Sequence, residues 1–278
     1  PQGGTLTNEQ VQETNLTIPE RTEATFASMF TMMGKPHITW PTGSNSTRAD
    51  DMGLISAFLS LDLEGADMIS ADNDYNWFST ACELSTRNPN YANPYIRYVN
   101  PYRQIGVAND VIAMYPADTK DEHALNMMAQ ARAIRAFDYM MLAPYFQFGD
   151  AAHLDSPCIP LLDGKHGYAE NPRATVREVY TSVIEDLNWA VDHLTAERTD
   201  KGKINKNVAL GLRARANLAL GNYAEAAADA SLAMEGFNPA TMADLSAPAF
   251  CNLEESNWMW GIQVTNDMVL SDGAPTSS

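Results

Sequence analysis

Residues 119–149, TKDEHALNMMAQARAIRAFDYMMLAPYFQFG, constrain the fold more than any other stretch, because they read as one long helix that is apolar on two sides. Thr119 and Glu122 have the spacing of a capping box: the hydroxyl accepts from the Glu122 N–H while the carboxylate accepts from the Thr119 N–H. One face carries Leu125, Met128 and Met141 together with Arg132 and either Ile134 or Arg135. A second carries Met127, Ala131, Phe137 and Tyr145. A helix apolar on two sides needs neighbours on both. Pro144 is expected to kink or break it near its end, with Gly149 as the stop.

The rest of the chain supplies those neighbours. Residues 1–20 lack periodicity and read as a loosely held arm. Residues 23–33 place Phe26, Met29, Phe30 and Met33 on one stripe before Gly34 and Pro36, and residues 51–63 and 95–115 repeat helical spacing. Residues 175–194 show the cleanest amphipathic pattern, opened by a second capping box of Thr175 and Glu178. Residues 205–220 are dense in small residues (Ala209, Gly211, Ala214, Ala216, Ala219), Gly221 ends that helix, and Asn222 caps the next, residues 223–234. This last pair places Leu, Gly, Tyr, Ala and a closing Pro as a tetratricopeptide helix–turn–helix unit of about 34 residues does. One such unit cannot bury its own face, so similar neighbours are implied. The fold class is therefore all-α, with tetratricopeptide-like helical repeats, long irregular loops and little strand. The stretch 258–264, WMWGIQV, alternates like a strand but has no evident partner. We expect a single domain over residues 1–278, cut at its C-terminal end from a longer parent and starting at Pro1 because leader residues have been removed.

Charge and motifs narrow the function classes. Eighteen Lys and Arg against 35 Asp and Glu give a net charge of −17 with no basic run, which removes the electrostatic footprint of a nucleic-acid binder. The longest apolar run, residues 139–146, falls far short of the ~20 residues that span a bilayer. Cys82, Cys158 and Cys251 are odd in number and far apart, and read as buried thiols. No G-x-S-x-G, H-E-x-x-H, P-loop or dinucleotide fingerprint is present, and the five His are never paired at ligand spacing along one helix. No catalytic residue and no cofactor are expected. His193, in a last helical turn, complements the helix dipole.

Two candidate sites remain. Arg132 and Arg135, with Asp138 three residues further on, can be read as a buried anion clamp, but structural hydrogen bonds between helices are the favoured reading. The other is the irregular stretch 66–94. Its Asp72, Asp74, Asn76, Thr80 and Glu83 match calcium-loop positions 1, 3, 5, 9 and 12, yet Trp77 stands at position 6, where Gly makes the turn, so no metal is expected. The same loop sets Tyr75, Trp77, Phe78, Tyr91 and Tyr95 beside Asn73, Asn76, Asn90, Asn93 and Arg87. Sugars present an apolar ring face edged by hydroxyls, so aromatic platforms beside amide and guanidinium groups are what their binding requires. The ligand-binding candidates are thus Trp77, Tyr75, Asn73, Asn76, Arg87 and Tyr91, with Trp40 in the preceding loop. The alternative for Trp77 and Phe78 is that each merely pins the loop to the helices, and Trp40 is equally ambiguous.

Three segments together resemble the SusD-like (RagB/SusD) family of nutrient-binding surface lipoproteins of Bacteroidota: MAQARAIRAFDYMMLAPYFQFGD, with Arg132, Arg135, Ala136 and Tyr139; CIPLLD followed by RATVREVYTSVIEDLNWAVDHL; and KINKNVALGLRARANLALGNYAEAAADA. The terminal ESNWMWGIQV is similar to the family's Glu-Asn-x-Trp-x-x-Gln strand. Gln130 stands where the family carries an acid, so an ion pair is expected to be lost there. The resemblance implies a longer parent and non-catalytic binding of an oligosaccharide or other nutrient, with glycan contacts in loops of this region. It also implies delivery to a TonB-dependent (SusC-like) transporter, and an outer-membrane lipoprotein whose anchor lies outside this chain. The alternative is a tetratricopeptide-like protein-interaction scaffold that binds no glycan.

Overall fold

The computed structural model describes residues 6–34, 49–65, 68, 78, 88, 90–149, 151–162, 171–246 and 253–263. Among these, helices α1 (Asn8–Thr17), α2 (Glu20–Gly34), α3 (Gly53–Glu64), α4 (Ala92–Ala113), α5 (Glu122–Phe146), α6 (Val176–His193), α7 (Lys206–Ala219), α8 (Tyr223–Ala233) and α9 (Met242–Ser246) dominate. A two-stranded antiparallel sheet pairs β1 (Pro157–Pro160) with β2 (Arg173–Thr175) in the register Pro157 to Thr175 and Pro160 to Arg173. The fold is all-α with little strand, as the periodicity requires.

Contacts cluster in two units. The first comprises Pro1–Met29 and Gln104–Gly261. At its centre is α5, in which every residue from 127 to 143 except Arg132 is buried. The helices α5 to α8 pack each on the next, which is the helical-repeat arrangement expected. Thr175 and Glu178 form the capping box that opens α6, and the Thr175 N–H bound to the Glu178 carboxylate holds that acid below its usual range. A Cβ at Gly211 would make only ordinary contact with the Ala233 methyl of α8, at 3.9 Å, so the approach of α7 and α8 does not depend on a glycine there. At the end of α7, Gly221 adopts φ 78°, and the bonds Asn222 N to Asn217 O (2.9 Å) and Gly221 N to Leu218 O (3.1 Å) close the helix.

Several boundaries differ from expectation. Asp121, not Thr119, caps α5: its carboxylate accepts from Ala124 N at 2.8 Å, while the Thr119 hydroxyl accepts only from Asp121 N at 3.3 Å. Pro144 is carried inside the helix, within its last turn, and the C-cap is Gln147 rather than Gly149. Asn222 stands at the N-cap of α8, but its amide turns to Asn217 instead. Residues 8–17, expected within an arm, form α1. This helix has no apolar stripe, and polar side chains tie it down: Gln12 and Asn15 donate to the Ala113 and Met114 carbonyls at 2.9 and 3.0 Å, satisfying acceptors that the end of α4 leaves open. Residues 258–263 form no strand; they run as an irregular segment.

The second unit comprises Phe30–Arg103 and Ile262–Ser278. In it the buried Ser56 hydroxyl accepts from Met52 N at 2.9 Å, Arg97 donates to Ser56 O at 3.2 Å, and Asn100 donates to Asp51 at 2.9 Å. These bonds lock the first turn of α3 to the N-terminal half of α4.

Candidate functional site

Trp40, Asn73, Tyr75, Asn76, Trp77 and Arg87 lie outside the described residues, as do the calcium-loop positions Asp72, Asp74, Thr80 and Glu83. Tyr91 is described. It stands one residue before α4, 47% exposed, with its N–H bonded to Asn88 O at 3.1 Å. Tyr95 and Tyr98 follow at intervals of four and three residues, 37% and 36% exposed, so the three rings share one face. The Tyr98 ring leans on Tyr102 with centroids 4.6 Å apart. Beside this ladder the buried Asn93 Nδ2 has no hydrogen-bond acceptor. Residues 91–98, where the 66–94 stretch runs into α4, therefore present three tyrosine rings beside a buried, unbonded amide, and of these Tyr98 was not anticipated; its spacing from Tyr91 and Tyr95 carried the signal.

The arginine pair is structural. Asp186 on α6 accepts from Arg135 Nε and Nη2, both at 2.7 Å, and from Arg132 Nη1 at 3.1 Å, while Arg135 Nη1 donates to Asn109 Oδ1 at 2.6 Å. The planar fork thereby joins α4, α5 and α6. Asp138 is not its partner: Asp138 Oδ2 is buried without a hydrogen bond, and burial pushes this carboxyl well above the usual range. Gln130, in place of an acid, donates to Asn126 at 2.7 Å and accepts from Ile204 N at 3.1 Å, so hydrogen bonds do the work of an ion pair. His193 does more than complement a dipole, since its ring stacks on Trp189 at 3.8 Å and Arg132 lies over the same indole at 4.8 Å. Burial raises the Cys158 thiol to about 11, which leaves it unreactive. Among the described residues no group of three His, Cys, Asp or Glu is placed to hold a metal ion.

Two clefts open among the described residues of the first unit. One, of about 380 Å³, lies between α5 and α6 and is lined by Arg132, Arg135, Arg177, Glu178, Glu185 and Asp186. Most of these charges are consumed internally, Arg177 by Asp155 at 2.8 Å. The other, of about 560 Å³, is formed by Val208, Gly211, Leu212 and Arg215 of α7 against Asn257, Trp258, Met259 and Trp260. Reading 258–264 as a strand hid this cleft, because alternation assigns every second side chain to a sheet face that does not exist here.

A family model described as starch-binding, associating with outer membrane, SusD-like, matches residues 58–218. Nothing among curated proteins matches. Among solved structures, a SusD-like carbohydrate binding protein from Bacteroides vulgatus superposes on 90% of this chain and 51% of its own, with TM-score 0.77 and 23% identity. A SusD superfamily protein from Bacteroides fragilis covers 92% of this chain and 58% of its own, with TM-score 0.70 and 18% identity. A laminarin binding SusD-like protein covers 81% and 45%, with TM-score 0.58 and 18% identity. These likenesses are of fold, and the chain spans about half the length of the solved relatives.

Proposed function

The chain belongs to the SusD-like family, and on that premise we propose that it binds oligosaccharide without chemically altering it and hands it to a TonB-dependent outer-membrane transporter. The observation that carries this reading is the extent of the family match, residues 58–218, which contains the whole aromatic stretch 66–94. The carbohydrate-binding and laminarin-binding relatives support the ligand class. In this reading Trp77, Tyr75 and Trp40 stack on sugar rings, Asn73, Asn76 and Arg87 bond hydroxyls, and Tyr91 extends the platform towards α4. Among the described residues no helix is long and apolar enough to cross a membrane, and in this reading a lipid anchor holds the protein at the outer membrane. Affinity electrophoresis in gels containing soluble starch or laminarin tests the site. Trp77→Ala should weaken retention about tenfold, a change of about 1.4 kcal/mol, and leave the helical circular dichroism intact. Equal retention of variant and parent on every glycan that the parent binds would overturn the assignment.

A second reading, a protein-interaction scaffold, is favoured by one observation: Leu218, Tyr223, Leu232 and Met234 of the α7–α8 hairpin are 47–71% exposed. Stable co-purification with a β-barrel partner, without retention on any glycan, would select it.

A further inference from the structure

We propose that the cleft between α7 and residues 257–260 is a second saccharide subsite, built from residues other than those of the 66–94 stretch, that takes a neutral sugar ring against Trp258 and Trp260 and bonds its hydroxyls through Arg215 and Asn257. The inference takes its ligand class from the glycan-binding reading above, and its location from the following geometry.

The wall that carries the two indoles is built and fixed. Arg198, which reaches out of the α6–α7 connection, donates through Nη2 to Met259 O and through Nη1 to Lys203 O at 2.6 Å. Lys201 Nζ donates to Glu255 O at 2.7 Å, and Gly261 N to Lys201 O at 3.3 Å. Trp260 Nε1 donates to Gly202 O at 3.1 Å, and its ring meets the Phe137 edge at 5.3 Å. Gly261 is tightly enclosed, since a Cβ there collides with Leu253 and comes within 3.3 Å of the Trp258 ring. A segment without helix or strand is thereby held to the α6–α7 connection by four polar bonds and close packing. Rings fixed in this way lose little freedom on binding, which is the condition for stacking to yield affinity.

The cleft's chemistry selects among ligands. Its floor is apolar, formed by the buried Val208 and Leu212, and Trp258, Met259 and Trp260 are each only half-buried. At its edge stand an exposed guanidinium, Arg215, and a half-buried amide, Asn257. Among the described residues neither side chain has a hydrogen-bond or ion-pair partner. The volume of about 560 Å³ lies inside the range of small-molecule clefts, about 300–1,000 Å³. An apolar bed flanked by unengaged donors suits a ligand with one hydrophobic face and acceptor-rich edges. The net charge of −17 disfavours a polyanion. A neutral pyranose meets each of these conditions.

Affinity electrophoresis against soluble starch and against laminarin tests the subsite in the parent, in Trp258→Ala and in Arg215→Ala, each made alone and in the Trp77→Ala background. Arg215 is exposed, so its variant should keep the fold, and unchanged thermal unfolding checks this for both. The expected result is a threefold to tenfold loss of retention for Trp258→Ala and a smaller loss for Arg215→Ala, each persisting in the Trp77→Ala background. Retention indistinguishable from the parent in both variants, while Trp77→Ala still weakens it, would overturn the second subsite and leave the glycan reading standing. Retention of no protein on either polymer would overturn both.

Discussion

Arg135 and Asp138 sit one turn apart on α5, both almost fully buried, yet their electrostatic situations are opposite. Arg135 is saturated by Asp186 and Asn109, so its charge is compensated where it lies. Such a pair is retained because removing one partner leaves the other charged and buried, at a cost of about 3–5 kcal/mol. Asp138 has one carboxylate oxygen with no donor, and desolvation raises its carboxyl well above the usual range, towards the protonated form. The consequence for stability has a definite sign. Below about pH 4 both folded and unfolded chains carry the Asp138 proton and nothing is lost. Above it the unfolded chain releases the proton while the folded chain keeps it, so stability falls by about 1.4 kcal/mol per pH unit until the raised folded pKa is reached. Asp138→Asn, which cannot ionise, should therefore unfold at higher denaturant than the parent at pH 7 and at about the same denaturant at pH 4. Urea titrations at the two pH values decide it, and a difference independent of pH would show that Asp138 is ionised in the fold.

At the scale of elements, α5 shows how far local chemistry sets a boundary. Thr119 and Asp121 are both competent N-caps, and the choice between them is made by the chain before the helix. The bond from Thr119 N to Pro116 O at 3.1 Å closes a turn there, which spends the N–H that a Thr119 capping box requires. Asp121 is left to accept from Ala124 N. Asp121→Ala should cost about 1 kcal/mol in urea unfolding, and Thr119→Ala clearly less; the reverse order would restore Thr119 as the cap. The helices α2 to α8 were legible because each carries an apolar stripe or a cap in its own residues. α1 was not, because Gln12 and Asn15 secure it through bonds to a segment about a hundred positions away. β1 and β2 were too short for alternation to register, and Pro157 and Pro160 at the ends of β1 speak against a strand. As for the site, the tyrosine ladder of α4 was half visible, through Tyr91 and Tyr95. The Trp258 cleft was invisible, because it depends on Arg198 and Lys201 reaching across from another loop.

The molecule as a whole carries a net charge of −17, and this sets how it responds to salt. Compaction brings the excess carboxylates together, so self-repulsion opposes folding most where screening is weakest. Between 10 mM and 150 mM salt the Debye length falls from about 30 Å to about 8 Å, which removes most of the long-range repulsion. Among the described residues the pairs that salt weakens are few and exposed, such as Arg177 with Asp155, and exposed pairs contribute little. Arg135 with Asp186 is shielded from solvent and is screened far less. Repulsion therefore dominates the balance, and added NaCl should raise the unfolding midpoint by about 2–4 °C, corresponding to about 1 kcal/mol for a chain of this size. Retention on neutral glycans should stay nearly constant over the same range, because stacking and hydroxyl bonding to an uncharged ligand release no counterions. Differential scanning fluorimetry beside affinity electrophoresis separates the two responses. A midpoint that falls with salt would mean that specific ion pairs outweigh the net charge. A retention that collapses with salt would mean that the ligand is charged, which would count against both saccharide sites.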